Sequence, residues 1–204
     1  MFKAIQAVAA AMAVIAAGGC AATDGWKGTE AEKAYEKEMA AKPEAAKLNN
    51  EHYFEIHQEG RIFVLTDPKG YEIFRATGEI PLAVTRIGAG PNRETVKLEL
   101  RKAEAKAMEK TVGYKGIAQK MYEGELKGAE QGFYGEIRRE GRIYVFGDWK
   151  DLEAFKASGE AAYGLTLIGK GPQRETVVFV QNSKSSQQAP AETIARFESM
   201  YAAQ

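Results

Sequence analysis

The sequence predicts an α+β protein made by tandem duplication: two α-ββ-α-ββ units, each an antiparallel sheet with helices on one face, related by a pseudo-two-fold axis. Three observations lead there. Residues 53–100 match residues 134–181 at a constant offset of 81 without a gap, and 24 of the 48 aligned positions are identical; self-similarity of this length signals a repeated structural unit. Within each copy, short apolar stretches of strand length flank a segment of helical spacing. Turn and cap residues then stand at the same places in both copies.

The match extends outward with small differences in length. Gly25-Trp26-Lys27-Gly28 answers Gly113-Tyr114-Lys115-Gly116, and the stretch from Tyr35 to Met39 answers that from Tyr122 to Leu126. Unit 1 therefore covers residues 25–112 and unit 2 residues 113–204. Unit 1 opens with Thr29 and Glu32, three apart, a capping box ahead of an Ala, Glu and Lys-rich helix that should stop near Pro43. Next come YFEIHQEGRIFVL and YGEIRREGRIYVF, each read as two short alternating strands about a Glu-Gly turn.

Asp67 and Asp148 are the expected N-caps of the next helices, and Gly78 and Gly159 their C-terminal glycines. Tyr71 with Phe74, and Leu152 with Phe155, fall three apart and give each helix an apolar face. The last strand pair flanks Gly88-x-Gly90-Pro91 and Gly169-x-Gly171-Pro172. A phosphate-cradling glycine loop must lead from a strand into a helix, whose free N–H groups face the anion. Here the glycines lead into Thr95–Leu100, which alternates at period two, so a hairpin connection is expected instead. The tail ends in a helix with Ile194, Phe197 and Tyr201 on one stripe, either docked on its own sheet or free for a partner.

The N-terminus carries an address. Lys3 precedes an apolar stretch over residues 4–17, shorter than the roughly 20 residues a spanning helix needs, and the pattern is that of a signal peptide. It ends Ala17-Gly18-Gly19-Cys20, and Cys20 is the one cysteine in the chain. This segment resembles the lipobox of bacterial lipoproteins, with Ala17 where Leu is commonest. The resemblance implies cleavage of residues 1–19, acylation of Cys20 with chains such as palmitate, and a lipidated tether over residues 20–28. With Ala21 rather than Asp after the cysteine, it also implies the outer membrane, periplasmic face. Several acyl chains hold firmly where a single chain binds only marginally. Trp26 lies six residues from the anchor, so the folded part must stay within about 20 Å of the bilayer.

Composition narrows the chemistry. Loss of Lys3 leaves 27 basic and 28 acidic side chains, which gives no electrostatic case for nucleic acid. A lone cysteine excludes an internal disulfide. The only histidines, His52 and His57, correspond to Phe133 and Arg138 in the second copy, so a duplicated metal site is not expected and the pair reads as surface histidines on a strand. No Gly-x-Ser-x-Gly elbow occurs.

Charged positions shared by the copies, Glu55/Glu136, Glu59/Glu140, Arg61/Arg142, Arg93/Arg174 and Glu94/Glu175, read as turn-flanking ion pairs. The sharper alternative puts Arg93, Glu94, Arg174 and Glu175 in a binding groove. The expectation is a non-enzymatic accessory, assembly or binding subunit for another envelope protein, without cofactor or metal. The competing expectation is a periplasmic module that binds or senses a small ligand in a pocket between the repeats, lined by Tyr53, Tyr134 and the shared arginines.

Overall fold

The structure, a computed structural model, describes residues 50–202. The signal segment, Cys20, Trp26 and the capping box at Thr29 and Glu32 lie outside the described residues. The chain runs β1 (His52–Gln58), β2 (Arg61–Leu65), α1 (Pro68–Thr77), β3 (Ala83–Arg86), β4 (Thr95–Glu99), α2 (Lys102–Lys110), α3 (Ile117–Tyr122), β5 (Tyr134–Arg139), β6 (Arg142–Phe146), α4 (Trp149–Ser158), β7 (Tyr163–Leu167), β8 (Thr176–Gln181) and α5 (Ala191–Tyr201). The architecture is α+β.

Local chemistry sets most boundaries where the sequence puts them. Glu59 and Gly60 both take positive φ, 52° and 68°, the two-residue hairpin geometry that matches strand twist. Asp67 and Asp148 accept from the backbone N–H groups of Lys69 and Lys150, and Gly78 and Gly159 end their helices in the left-handed conformation. The Gly-x-Gly-Pro segments join antiparallel strands, β3 to β4 and β7 to β8. Helix α2 was not among the expected elements; the Glu104 side chain accepts from the Arg101 N–H at its start and from the Ile117 N–H at the start of α3.

The sheet is not a pair of antiparallel sheets. All eight strands form one mixed sheet in the order β3-β4-β2-β1-β5-β6-β8-β7. Hairpins pair β1 with β2, β3 with β4, β5 with β6 and β7 with β8, whereas β2 with β4, β6 with β8, and β1 with β5 pair in parallel. In the β2–β4 and β6–β8 pairings the crossover is a helix followed by a strand, α1 with β3 and α4 with β7, and the strand carries the chain back to the end where β2 or β6 began. The β1–β5 pairing joins the two halves without a gap.

Nor do the helices share one face. Along β2, Ile62 and Val64 belong to one apolar cluster and Phe63 and Leu65 to a second, and neighbouring strand residues point to opposite faces. The first face carries α3 through Ala118 and Met121 and α4 through Trp149, Leu152 and Phe155; the second carries α1 through Tyr71 and Phe74 and α5 through Phe197. The reason lies in the strands themselves. β2 and β6 each bury four consecutive residues, the pattern of a strand covered on both sides rather than one with a wet face.

Residues 81 apart take opposite faces: Tyr53, Ile62, Val64, Val96 and Phe155 lie in the first cluster, and Tyr134, Ile143, Val145, Val177 and Phe74 in the second. Helix α3 packs on β2 and β4. Helix α5 is docked, with Phe197 buried and Ile194, Met200 and Tyr201 against the second cluster.

Candidate functional site

At the middle of the sheet, β1 and β5 each carry a Tyr-x-Glu sequence whose two side chains point to the same face. Because equivalent residues take opposite faces, Glu55 lies under α4 and Glu136 under α1 and α5. Neither is the turn-flanking surface charge the sequence suggested: Glu55 is 5% exposed and Glu136 0%. A buried carboxylate is tolerated only if it is well bonded, and each is bonded differently.

Three phenols converge on Glu136. Tyr134 donates to its Oε1 at 2.5 Å, Tyr71 and Tyr201 donate to its Oε2 at 2.7 and 2.6 Å, and the Tyr71 and Tyr201 hydroxyls lie 2.9 Å apart. Burial, and after it the Glu136 charge, pushes all three phenols well above the usual tyrosine range, so they remain donors. Arg75 covers the Tyr201 ring at 4.4 Å from its centroid, and its Nη2 donates to the Met200 carbonyl. Glu136, Tyr71 and Tyr134 are fully buried and Tyr201 is half-buried at the margin, and the set fastens α5 to the sheet.

Glu55 is bonded by a lysine, a tyrosine and a histidine. Lys156, on α4, donates to its Oε2 at 2.8 Å and to the Tyr53 hydroxyl at 2.9 Å, Tyr53 donates to the same Oε2 at 2.5 Å, and His57 Nε2 lies 2.7 Å from Oε1. Burial pushes the Glu55 carboxyl up, but bonds to His57, Lys156 and Tyr53 outweigh it and hold the group at about 2. Burial, then the charges of Glu55 and Glu94, pushes Tyr122 up to about 12. His57 is thus a partner of a buried carboxylate rather than a plain surface histidine. Beside this set is a cleft of about 340 Å³ lined by His57, Pro91, Tyr122, Arg139 and Lys156.

The strand pairings bring every hairpin turn, after β1, β3, β5 and β7, to one end of the sheet. A second cleft, of about 370 Å³, opens there between the halves, with His57 and Arg75 from one and Arg138, Arg139, Arg142 and Glu175 from the other. Arg138 is ion-paired with Glu175. Arg139 lies over the Phe155 ring at 4.6 Å, and Arg142 reaches the Tyr144 hydroxyl at 3.4 Å.

No family model, curated protein or solved structure matches this chain.

Of the candidate binding residues, Tyr53 and Tyr134 are fully buried on opposite faces, each bound to its own strand's glutamate, and share no pocket. Arg93 and Arg174 are exposed in the turns, each at φ 65°. Glu94 and Glu175 close those turns by accepting from the N–H of Asn92 and Gln173, both at 2.7 Å, and Glu175 alone also lines the cleft between the halves. Cys20 lies outside the described residues. Among the described residues no group of three His, Cys, Asp or Glu side chains is placed to hold a metal ion, and no helix is long and apolar enough to cross a membrane.

Sequence reasoning missed Arg75, Arg138, Arg139, Lys156 and Tyr201. The available signal was a glutamate set inside each of the apolar runs YFEI and YGEI, two residues after a tyrosine. Apart from the tyrosine two residues before each, the partners of these glutamates come from positions that differ between the copies, so the repeat pattern does not mark them.

Proposed function

We propose that the chain is a lipid-anchored envelope lipoprotein, held at the periplasmic face of the outer membrane through acylated Cys20, that serves as a non-enzymatic accessory subunit docking another envelope protein. The described half-sheets then descend from one duplicated unit, related by a two-fold axis in the sheet plane and parallel to the strands. Such an axis keeps β1 and β5 parallel while exchanging the faces, which is the arrangement of the residues 81 apart.

The observation that carries the docking reading is the turn end of the sheet. Ile87 and Ile168 are 89% and 82% exposed there, beside Arg93 and Arg174. These side chains pack on little of their own chain, yet they are identical in both copies, as are the glycines and prolines that present them. A fold's own packing does not require an exposed isoleucine, whereas a contact made twice does. Helix α5 spends its apolar stripe on its own sheet, which leaves the turns as the stronger docking surface.

The test is cross-linking in intact cells, with mass spectrometry of the purified adducts, on the natural chain, Cys20→Ser, and Ile87→Asp with Ile168→Asp. The expected result is one reproducible envelope partner, lost in the double isoleucine variant, and release of Cys20→Ser into the soluble fraction. Retention of the partner by the isoleucine variant would sink the docking surface. Membrane retention of Cys20→Ser would sink the anchor.

A further inference from the structure

We propose that the cleft on the α4 face of the sheet, beside Glu55, binds a small monocarboxylic acid with a flat apolar body, its carboxylate held by Arg139 and Lys156 and its body against Tyr122 and Pro91. The inference does not rest on the docking reading. The polar groups of this cleft stand on one face of the sheet. His57 follows Glu55 by two residues along β1, and Arg139 follows Ile137 by two along β5. Lys156 from α4 lies over the Tyr122 ring from α3, 4.5 Å from its centroid. The cleft measures about 340 Å³, the size of a small metabolite and far too small for a folded domain.

The opposite face shows that such an opening is not a general property of the fold. Arg75 and Lys156 are 81 residues apart, and each covers a tyrosine ring on its own face, Arg75 that of Tyr201 at 4.4 Å and Lys156 that of Tyr122. There the likeness ends. The Tyr201 hydroxyl reaches Glu136 Oε2, where Tyr71 joins it. The residue 81 beyond Tyr71 is Leu152, which brings no hydroxyl. Glu55 is bonded by Tyr53, His57 and Lys156 and not by Tyr122, and a cleft lined by both Glu55 and Tyr122 stays open.

The groups left over select the ligand. The charge of Glu55 is already matched by Lys156, and both its oxygens are bonded. Glu94, the other carboxylate near Tyr122, accepts from Asn92 within its own turn. Arg139 has no carboxylate partner among the described residues: its Nη2 donates to the Gly159 carbonyl at 2.5 Å, and its Nε is out of water with no acceptor. A guanidinium withdrawn from water without a counter-charge is costly, and one unmatched guanidinium suits one carboxylate, which it grips with two parallel bonds. Lys156 keeps a third N–H beyond those given to Glu55 and Tyr53. Burial and the nearby carboxylates keep the Tyr122 phenol protonated, so its hydroxyl is a further donor, while its ring and Pro91 supply apolar surface.

The experiment is titration calorimetry of the full-length Cys20→Ser chain with three ligands: phenylacetate, phenylacetamide, which keeps the ring and loses the charge, and acetate, which keeps the charge and loses the ring. The phenylacetate titration is repeated on Arg139→Gln and on Arg174→Gln, which removes an exposed arginine outside the cleft, with thermal midpoints as the check on folding. The expected result is saturable 1:1 binding of phenylacetate, at least tenfold weaker for phenylacetamide and for acetate, weakened at least tenfold by Arg139→Gln and unchanged by Arg174→Gln. Should Arg139→Gln fail to fold, the comparison of the three ligands decides alone. Absence of saturable phenylacetate binding, equal binding of the amide or of acetate, or equal binding by a folded Arg139→Gln would overturn the site.

Discussion

Replacing Tyr201 with phenylalanine isolates one bond of the Glu136 set. The ring stays against Phe197, 4.7 Å between centroids, so no cavity opens and the change is confined to one hydroxyl. That hydroxyl donates to Glu136 Oε2 at 2.6 Å, and a hydrogen bond to a charged group contributes about 1.5–3 kcal/mol. Glu136 keeps Tyr71 and Tyr134 as donors, and Tyr71 keeps Glu136 as its acceptor, so nothing new is orphaned and the upper half of that range is not expected. The predicted loss is about 2 kcal/mol, measured as a lower urea midpoint at unchanged slope, or about 4–8 °C in thermal midpoint for a domain of this size. A loss under about 0.5 kcal/mol would refute the claim that the C-terminal helix is fastened through a buried charge.

Other perturbations test other parts of the structure. Glu55, held at about 2 against an ordinary value of 4.5, contributes stability that is fully present above pH 4.5 and lost as pH falls towards 2; Lys156→Met should move that loss to higher pH in urea titrations, and an unchanged acid limb would argue against the pairing. A Cβ at Gly135 would stand 2.8 Å from Leu152 Cδ1 and 3.0 Å from two Phe133 ring carbons, so Gly135→Ala should destabilise by about 1–3 kcal/mol through overpacking, whereas equal or greater stability would mean that this face is loosely filled. Asp148→Ala removes the 2.8 Å cap on α4 and should cost about 1 kcal/mol in the same assay; no change would show that Lys150 N–H is satisfied by water.

The turns and caps were legible in the sequence because their chemistry is local. Asp67 and Asp148 cap whatever follows them, Glu59-Gly60 selects a tight hairpin, and Gly88-x-Gly90-Pro91 leads into a strand by the period of the next six residues. The repeat located equivalent elements, and the alternation over Thr95–Leu100 marked the glycine segments as connections between strands. It also singled out charged positions, but without saying which were inside. Glu59 and Glu55 are equally charged in sequence, yet one turns a hairpin in water and the other sits beneath a helix.

What the sequence by itself determined is the strands and every helix of the described residues except α2, since each of those elements is specified by periodicity and caps within a few residues. How the elements assemble was decided only in three dimensions. Edge strands β1 and β5 have to meet before the halves become one sheet, and their parallel pairing turns equivalent residues to opposite faces. That single pairing explains why equivalent residues are covered by different helices and why Tyr53 and Tyr134 never share a pocket. Pairing between segments some 80 residues apart leaves no local periodic mark, because its stabilisation comes from burying two faces at once, a property of the assembled sheet rather than of any stretch within it.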